Sequence, residues 1–96
     1  MTAYIIFTRE RTHDAAELET YAGKAAASAK GHAAKPLAYY GEIETLEGPE
    51  AEGSVILEFP DRAAAHTWYA SDAYQDARKH RFAGADYRVY IVDGVS

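Results

Sequence analysis

The chain has no cysteine. Disulfides, thiolate chemistry and Cys-ligated metals are therefore excluded. Basic clusters are missing too. No run of Lys or Arg exceeds two residues, and the net charge is −5. A surface of that kind does not grip a phosphate backbone, so nucleic acid is not an expected partner. No apolar run approaches the roughly 18 residues that a membrane span needs. The start of the chain goes straight into a strand-like run, without a basic region followed by an apolar stretch, so no signal peptide is expected. The seven glycines are scattered. They form no GxGxxG, no GKS/T and no nucleophile elbow, which argues against nucleotide-dependent chemistry. The four histidines, His13, His32, His66 and His80, include no i,i+4 pair, no HxH and no HExxH, so no metal site is expected. These absences leave a soluble, cytoplasmic protein as the expectation.

What is present suits one globular domain over residues 1–96. Hydrophobic residues make up 48% of the chain, enough for a core. A domain this small leaves much apolar surface uncovered, and a second copy would be a natural cover.

The stretch 54–81, SVILEFPDRAAAHTWYASDAYQDARKHR, organises the rest. Its apolar run 55–59 reads as a strand stopped by Pro60 and Asp61. Asp61 caps an alanine-rich helix whose apolar stripe is Ala63, Ala64, Thr67 and Trp68. Ser71 or Asp72 restarts helical structure, and Gly84 stops it. Upstream, 4–8 (YIIFT) is a strand signal whose near-continuous apolarity suggests burial on both faces. Asp14 with Glu17 fits a capping box, and the periodicity of Ala15, Leu18, Tyr21, Ala22, Ala25 and Ala29 predicts a helix over 14–30. Gly31 is its left-handed stop, and Gly23 within it suggests a close helix–sheet contact. Residues 36–46 alternate as a second strand with Gly41 as a bulge or close approach. The loop 47–53 suits a hairpin, and 86–92 (DYRVYIV) is the last strand.

The order β-α-β-β-α-β is the ferredoxin-like pattern: one four-stranded antiparallel sheet with both helices on one face, an α+β fold. The expected register points Val55, Leu57, Phe59, Val89 and Ile91 at the helices. It leaves Ile56, Glu58, Arg88, Tyr90 and Val92 on the open face, with Tyr40 and Glu42 beside them. That face is too apolar for water, which predicts a homodimer with the two sheets face to face.

The run EFPDRAAAHTWYASDAYQDARKHR resembles the pattern LEFPS..AA..WY.SPEYQ....LR of a small bacterial family of unknown function (DUF1330-like). That family lies in the dimeric α+β barrel superfamily. GEIETLEG resembles its second strand and turn, and DYRVYIVDGV its closing strand. The chain departs at Asp72-Ala73, where Pro-Glu is commoner. The resemblance implies fold and dimerisation, and no particular reaction. The wider superfamily holds cofactor-free monooxygenases, muconolactone-type isomerases, haem-handling enzymes and small-ligand regulators.

Several residues carry chemical potential. Glu58, a carboxylate in an apolar strand facing a closed barrel, would be desolvated and poised as acid or base; the alternative is a structural pair or a rim residue. Arg81 lies two turns beyond Tyr74 on one helix face. It can hold a substrate carboxylate, pair with Glu58, or simply anchor the helix. His32 follows the Gly31 stop and is a candidate proton shuttle or a solvated loop residue. A haem-handling chemistry would use His32 or His66 as an axial ligand, but nothing in the sequence demands it and no cofactor is expected. Tyr40, Tyr69, Tyr74 and Tyr90, of eight tyrosines, can line a substrate pocket or fill core and interface. Trp68 is core. Two functions remain open: a cofactor-free enzyme acting on a small aromatic or oxo-acid metabolite with Glu58 as acid/base, and a non-catalytic, small-molecule-binding or stress-related homodimer. A third, purely structural dimer would have no pocket between sheet and helices.

Overall fold

Strand β1 (Ala3–Thr12) occupies the middle of the sheet. Its alternation explains why. Ala3, Ile5 and Phe7 are buried, while Tyr4, Ile6 and Thr8 are half-buried on the other face. In the single chain β1 is thus sealed on one face only, not on both. The computed structural model describes residues 1–95. It continues with α1 (Ala15–Ser28), β2 (Lys35–Tyr39), β3 (Gly53–Phe59), α2 (Arg62–Tyr69), α3 (Asp72–Gly84) and β4 (Ala85–Asp93). The sheet order is β2-β3-β1-β4, and every neighbouring pair is antiparallel. This is the ferredoxin-like arrangement, with the second helix broken into α2 and α3 at the Ser71 cap.

The caps are local chemistry. Asp14 accepts hydrogen bonds from the backbone N–H groups of Ala16 and Glu17 at 3.0 and 3.3 Å. Asp61 caps α2 by accepting from Ala64 N at 2.8 Å, and the Ser71 hydroxyl caps α3 by accepting from Tyr74 N. Each satisfies an N–H that the helix itself leaves unpaired. The expected capping box at α1 is only half formed. The Glu17 carboxylate does not turn back to its own helix; its Oε2 lies 2.6 Å from Nδ1 of His80 on α3.

Helix α1 packs along α3, joined at the surface by Lys24 Nζ to Asp76 Oδ2 at 2.7 Å. At the other end, Gly84 lies against α1. A Cβ there would come within 2.8 Å of Leu18 Cδ2, and the Gly84 carbonyl accepts from both His13 N and Asp14 N. The glycine is required by this close approach. Gly23 is different: it is exposed and a Cβ there would meet nothing within 4 Å, so the expected helix–sheet contact at Gly23 is absent. Gly31 does take the left-handed backbone, φ +79°, just past α1.

Trp68 on α2 is the centre of the core. Its ring centroid stands 4.2 Å from Tyr74, 5.8 Å from Phe59 and 6.3 Å from Phe7. Its Nε1 donates to the Ser28 hydroxyl at 3.1 Å, so the one polar atom of the indole is satisfied.

Strand β2 is shorter than expected. The alternation over 36–46 predicted one long strand, but pairing ends at Tyr39, after a register shift between Pro36 and Ala38. Gly41 therefore lies beyond the strand and marks no bulge within it. Tyr40 has φ 53°, a left-handed backbone that few residues with a side chain adopt. That turn re-aims its side chain. Tyr40 does not join Glu42 on the open face; its ring swings to the helix-covered face and lies against Gly53, where a Cβ would be 2.9 Å from Tyr40 Cδ1.

The remaining register is as expected. Val55, Phe7 and Val89 are aligned across the covered face, and Ile56, Ile6 and Tyr90 across the open one. Tyr90 and Val92 are 47% and 42% exposed on that open face. Among the described residues no helix is long and apolar enough to cross a membrane.

Candidate functional site

Alanine is small, and α1 puts its alanines where they leave space. Ala25, Ala26 and Ala29 face β2 and β3 across a cavity of about 360 Å³. Phe7, Val55, Leu57 and Trp68 form its inner wall; Ala34, Pro36, Tyr39 and Tyr40 form its outer one, and Tyr21 closes one end. The size and the apolar, aromatic lining are those of a small-molecule site.

The polar side-chain groups at this cavity are the phenols of Tyr21, Tyr39 and Tyr40 and the indole of Trp68, and the hydroxyls of Tyr21 and Tyr40 are paired. Tyr40 and Tyr87 share a hydrogen bond between their hydroxyls at 2.7 Å. Tyr21 and Tyr74 share another at 2.9 Å. Burial pushes the Tyr40 phenol well above its ordinary value, and the bond to Tyr87 adds to this. Burial raises Tyr21 still further, reinforced by the adjacent Tyr74. Tyr74 is raised by burial, with the Tyr21 hydroxyl and the Arg81 charge opposing. All three stay protonated at neutral pH. Among the described residues, the lining contains no carboxylate, imidazole, amine or guanidinium. Such a site can hold an aromatic molecule and offer it hydrogen bonds; it holds no ionised base.

The residues nominated from the sequence are dispersed. Glu58 lies on the open face, in register with Tyr4 of β1 and Lys35 of β2. Arg81 is on the other side of the sheet and only 3% exposed. Its guanidinium carbon stands 5.0 Å from the Phe82 ring, 5.2 Å from Tyr87 and 6.0 Å from Phe7. Among the described residues it makes no ion pair, so it does not pair with Glu58. His32 is half-buried in the turn after α1, its N–H bonded to Ala29 O, and does not line the cavity.

The four nominated tyrosines do not share one pocket. Tyr40 lines the cavity. Tyr74 is fully buried core. Tyr69 and Tyr90 border a separate shallow groove beside α2, with Arg62 and His66. Tyr69 is held there by Arg78, whose Nη1 donates to its hydroxyl at 3.2 Å. The cavity residues that sequence reasoning passed over are Tyr21, Tyr39, Phe7 and the alanines of α1. The signal for them was there: small residues at positions 25 and 29 on the inner face of α1. Helical periodicity alone does not show that these small residues leave volume unfilled. Among the described residues no group of three or more acidic or histidine side chains is placed to hold a metal ion.

A four-stranded antiparallel sheet covered on one face, with a cavity under its helices, defines a ferredoxin-like α+β protein with room for a small ligand. The family model described as Domain of unknown function (DUF1330) matches residues 2–95, and the chain belongs to that family. A protein of unknown function from Rhodopseudomonas palustris, RPA0582, superimposes with a TM-score of 0.76 at 19% identity, over 99% of this chain and 83% of that one. A dimeric protein of unknown function with a ferredoxin-like fold, from Bacteroides fragilis, gives 0.67 at 8% identity, over 97% and 96%. SnoaB, a cofactor-independent oxygenase from Streptomyces nogalater, gives 0.64 at 11% identity, over 99% and 94%. At these identities the likeness is one of fold. No functionally curated protein matches the chain in sequence.

Proposed function

We propose that this chain forms a homodimer through its open sheet face, and that each copy binds a small, largely apolar aromatic molecule in the cavity under α1. The observation that carries the ligand reading is the cavity itself: about 360 Å³, walled by aromatic and alanine side chains, with neutral hydroxyls at its end. A purely structural dimer would have no such pocket, and this one opens past the exposed residues Ala26, Pro36 and Tyr39. The dimer reading rests on Ile6, Ile56, Tyr90 and Val92 sharing the open face, and on the dimeric Bacteroides relative.

Turnover without a cofactor is the second reading, favoured by the fold shared with the cofactor-independent oxygenase SnoaB. In this cavity such a reaction would rely on the reactivity of the substrate, because the lining supplies hydrogen-bond donors and no ionised base. Glu58 acts as acid or base only if the partner's sheet closes a second site over the open face. Of the residues nominated from the sequence, Tyr40 is the one that meets a ligand in the cavity.

Trp68 makes the test direct. It is the single tryptophan and lines the cavity. Titration with monocyclic and bicyclic aromatics should quench its fluorescence saturably, at one ligand per chain, with native mass spectrometry counting ligand and copies together. Ala25→Phe, which fills the space from α1, should abolish binding while the dimer persists. Equal binding by Ala25→Phe, or no binding of any such compound, sinks the ligand reading. A monomer at micromolar concentration sinks the dimer.

A further inference from the structure

Three of the four phenol and indole groups that line the cavity under α1 spend their polar atoms elsewhere. The Tyr21 hydroxyl is bonded to Tyr74, the Tyr40 hydroxyl to Tyr87, and Trp68 Nε1 to the Ser28 hydroxyl. Tyr74, Tyr87 and Ser28 all stand outside the lining. Tyr74 is closed into the core, and Tyr87 borders a separate groove with Arg9 and Thr12. Tyr21, Tyr40 and Trp68 therefore turn their rings to the cavity and their polar tips away from it. The Ser28 hydroxyl in turn donates to Ala25 O at 2.6 Å, so the bond to Trp68 leaves no proton over.

Tyr39 is the exception. It is 55% exposed, and among the described residues its hydroxyl has no hydrogen-bond partner. It stands on β2 in register with Val55, where the cavity opens past Ala26 and Pro36. The cavity thus has a direction. Its inner end is Phe7, Tyr21, Val55 and Trp68, all buried. Its mouth has water and the one free phenol.

We infer that the ligand is an aromatic molecule whose polar groups are confined to one end, seated ring-first with that end at the mouth beside Tyr39. This rests on the reading of the cavity as a ligand site. Desolvation sets the orientation. A hydroxyl or carbonyl carried to the inner end loses its water and meets ring faces and aliphatic carbon. The same group at the mouth keeps its water, and the Tyr39 hydroxyl adds a hydrogen bond. The site therefore reads where the polar groups stand on the ring system and not how many there are. A molecule with polar groups at opposite ends is disfavoured whichever way it enters.

Two isomers separate placement from number. 2,3-Dihydroxynaphthalene carries both hydroxyls at one end, and 2,6-dihydroxynaphthalene carries them at opposite ends. Titrated against the Trp68 fluorescence of the full chain, the 2,3 isomer should bind about tenfold more tightly, which is the cost of one buried hydroxyl left unpaired. Bound 2-naphthol, excited beyond the tryptophan band, should still release its proton to water and emit as the naphtholate. Tyr39→Phe should weaken the 2,3 isomer about threefold and leave naphthalene unaffected. Equal affinity for the two isomers, or tighter binding of the 2,6 isomer, overturns the orientation and leaves the cavity as a ligand site. Emission of bound 2-naphthol from its neutral form alone does the same. An unchanged affinity in Tyr39→Phe overturns the part given to Tyr39. Failure of every one of these compounds to quench Trp68 overturns the orientation and the ligand reading together.

Discussion

The two faces of the sheet are built from the same kinds of residue and end in opposite states. On the covered face Phe7, Val55 and Phe59 meet Trp68 and the helices and are nearly free of solvent. On the open face Ile6 and Ile56 are half-buried, and Tyr90 and Val92 are about half exposed. Hydrophobicity alone does not distinguish them, because both strand registers are apolar. What differs is the partner. The covered face has the helices as its partner, and the open face has only the loop after β2 beside Thr8, Ser54 and Arg88 at one end. Polar residues follow the same division. The covered side shelters paired tyrosine hydroxyls and an enclosed arginine; the open side carries Glu58 and Arg88 next to exposed rings.

That contrast can be broken most severely from the covered side. Trp68→Ala removes the ring shared by Phe7, Phe59 and Tyr74 and should cost about 3–5 kcal/mol in urea unfolding. A loss below about 1 kcal/mol would mean that the core is organised elsewhere. The open face should respond in assembly and not in folding. Ile56→Asp places a charge between Ile6 of β1 and Ala38 of β2; it should weaken the proposed dimer by roughly 100-fold or more in sedimentation equilibrium while the monomer keeps its circular dichroism.

Alkali probes the covered side more gently. Tyr21, Tyr40 and Tyr74 have folded pKa values raised above that of an exposed phenol. Their neutral forms favour the fold, so this contribution is complete below the unfolded pKa of about 10 and declines as pH rises beyond it. Tyrosinate absorbance at 295 nm should show a late step that coincides with the loss of far-UV circular dichroism. Ionisation of all the tyrosines before any unfolding would contradict the buried pairs. Arg81 offers a smaller effect. Among the described residues its buried charge has no anionic partner, so Arg81→Met should leave stability unchanged or raise it by about 1 kcal/mol in the same urea experiment. A large loss would show that the contacts with Phe7, Phe82 and Tyr87 outweigh desolvation. Last, Glu58→Gln should leave Trp68 quenching by aromatics unchanged, since Glu58 lies across the sheet from the cavity.

Particular residues show how far the sequence could be read. Asp14, Asp61 and Ser71 cap the three helices as expected, because a cap is an interaction within three residues of chain. Trp68 was legible as core from the apolar stripe of its helix. Tyr40 was not legible. Alternation along 36–46 put it on the open face, but alternation holds only while the strand continues. A left-handed residue ends it, and the ring it turns inward lies against Gly53 in a different strand. Glu58 was placed on the correct face, yet its coupling to Arg81 fails because the sheet itself stands between them. Arg9 follows the apolar run 4–8 and nothing local in the sequence singles it out; its register opposite Tyr87 and Gly53 makes it the wall of a groove.

The sequence by itself determined the helices and their caps, the order of elements, and the side of β3 and β4 that turns inward. These follow from periodicity and from hydrogen bonds between near neighbours, which act before any long-range contact forms. Tertiary structure alone decided where β2 stops, which way Tyr40 faces, which tyrosines are hydrogen-bonded to each other, and that the alanines of α1 border a space. Each of these depends on the distance between segments far apart in the chain. A cavity in particular is volume that no residue fills, and volume is defined only once the walls have come together.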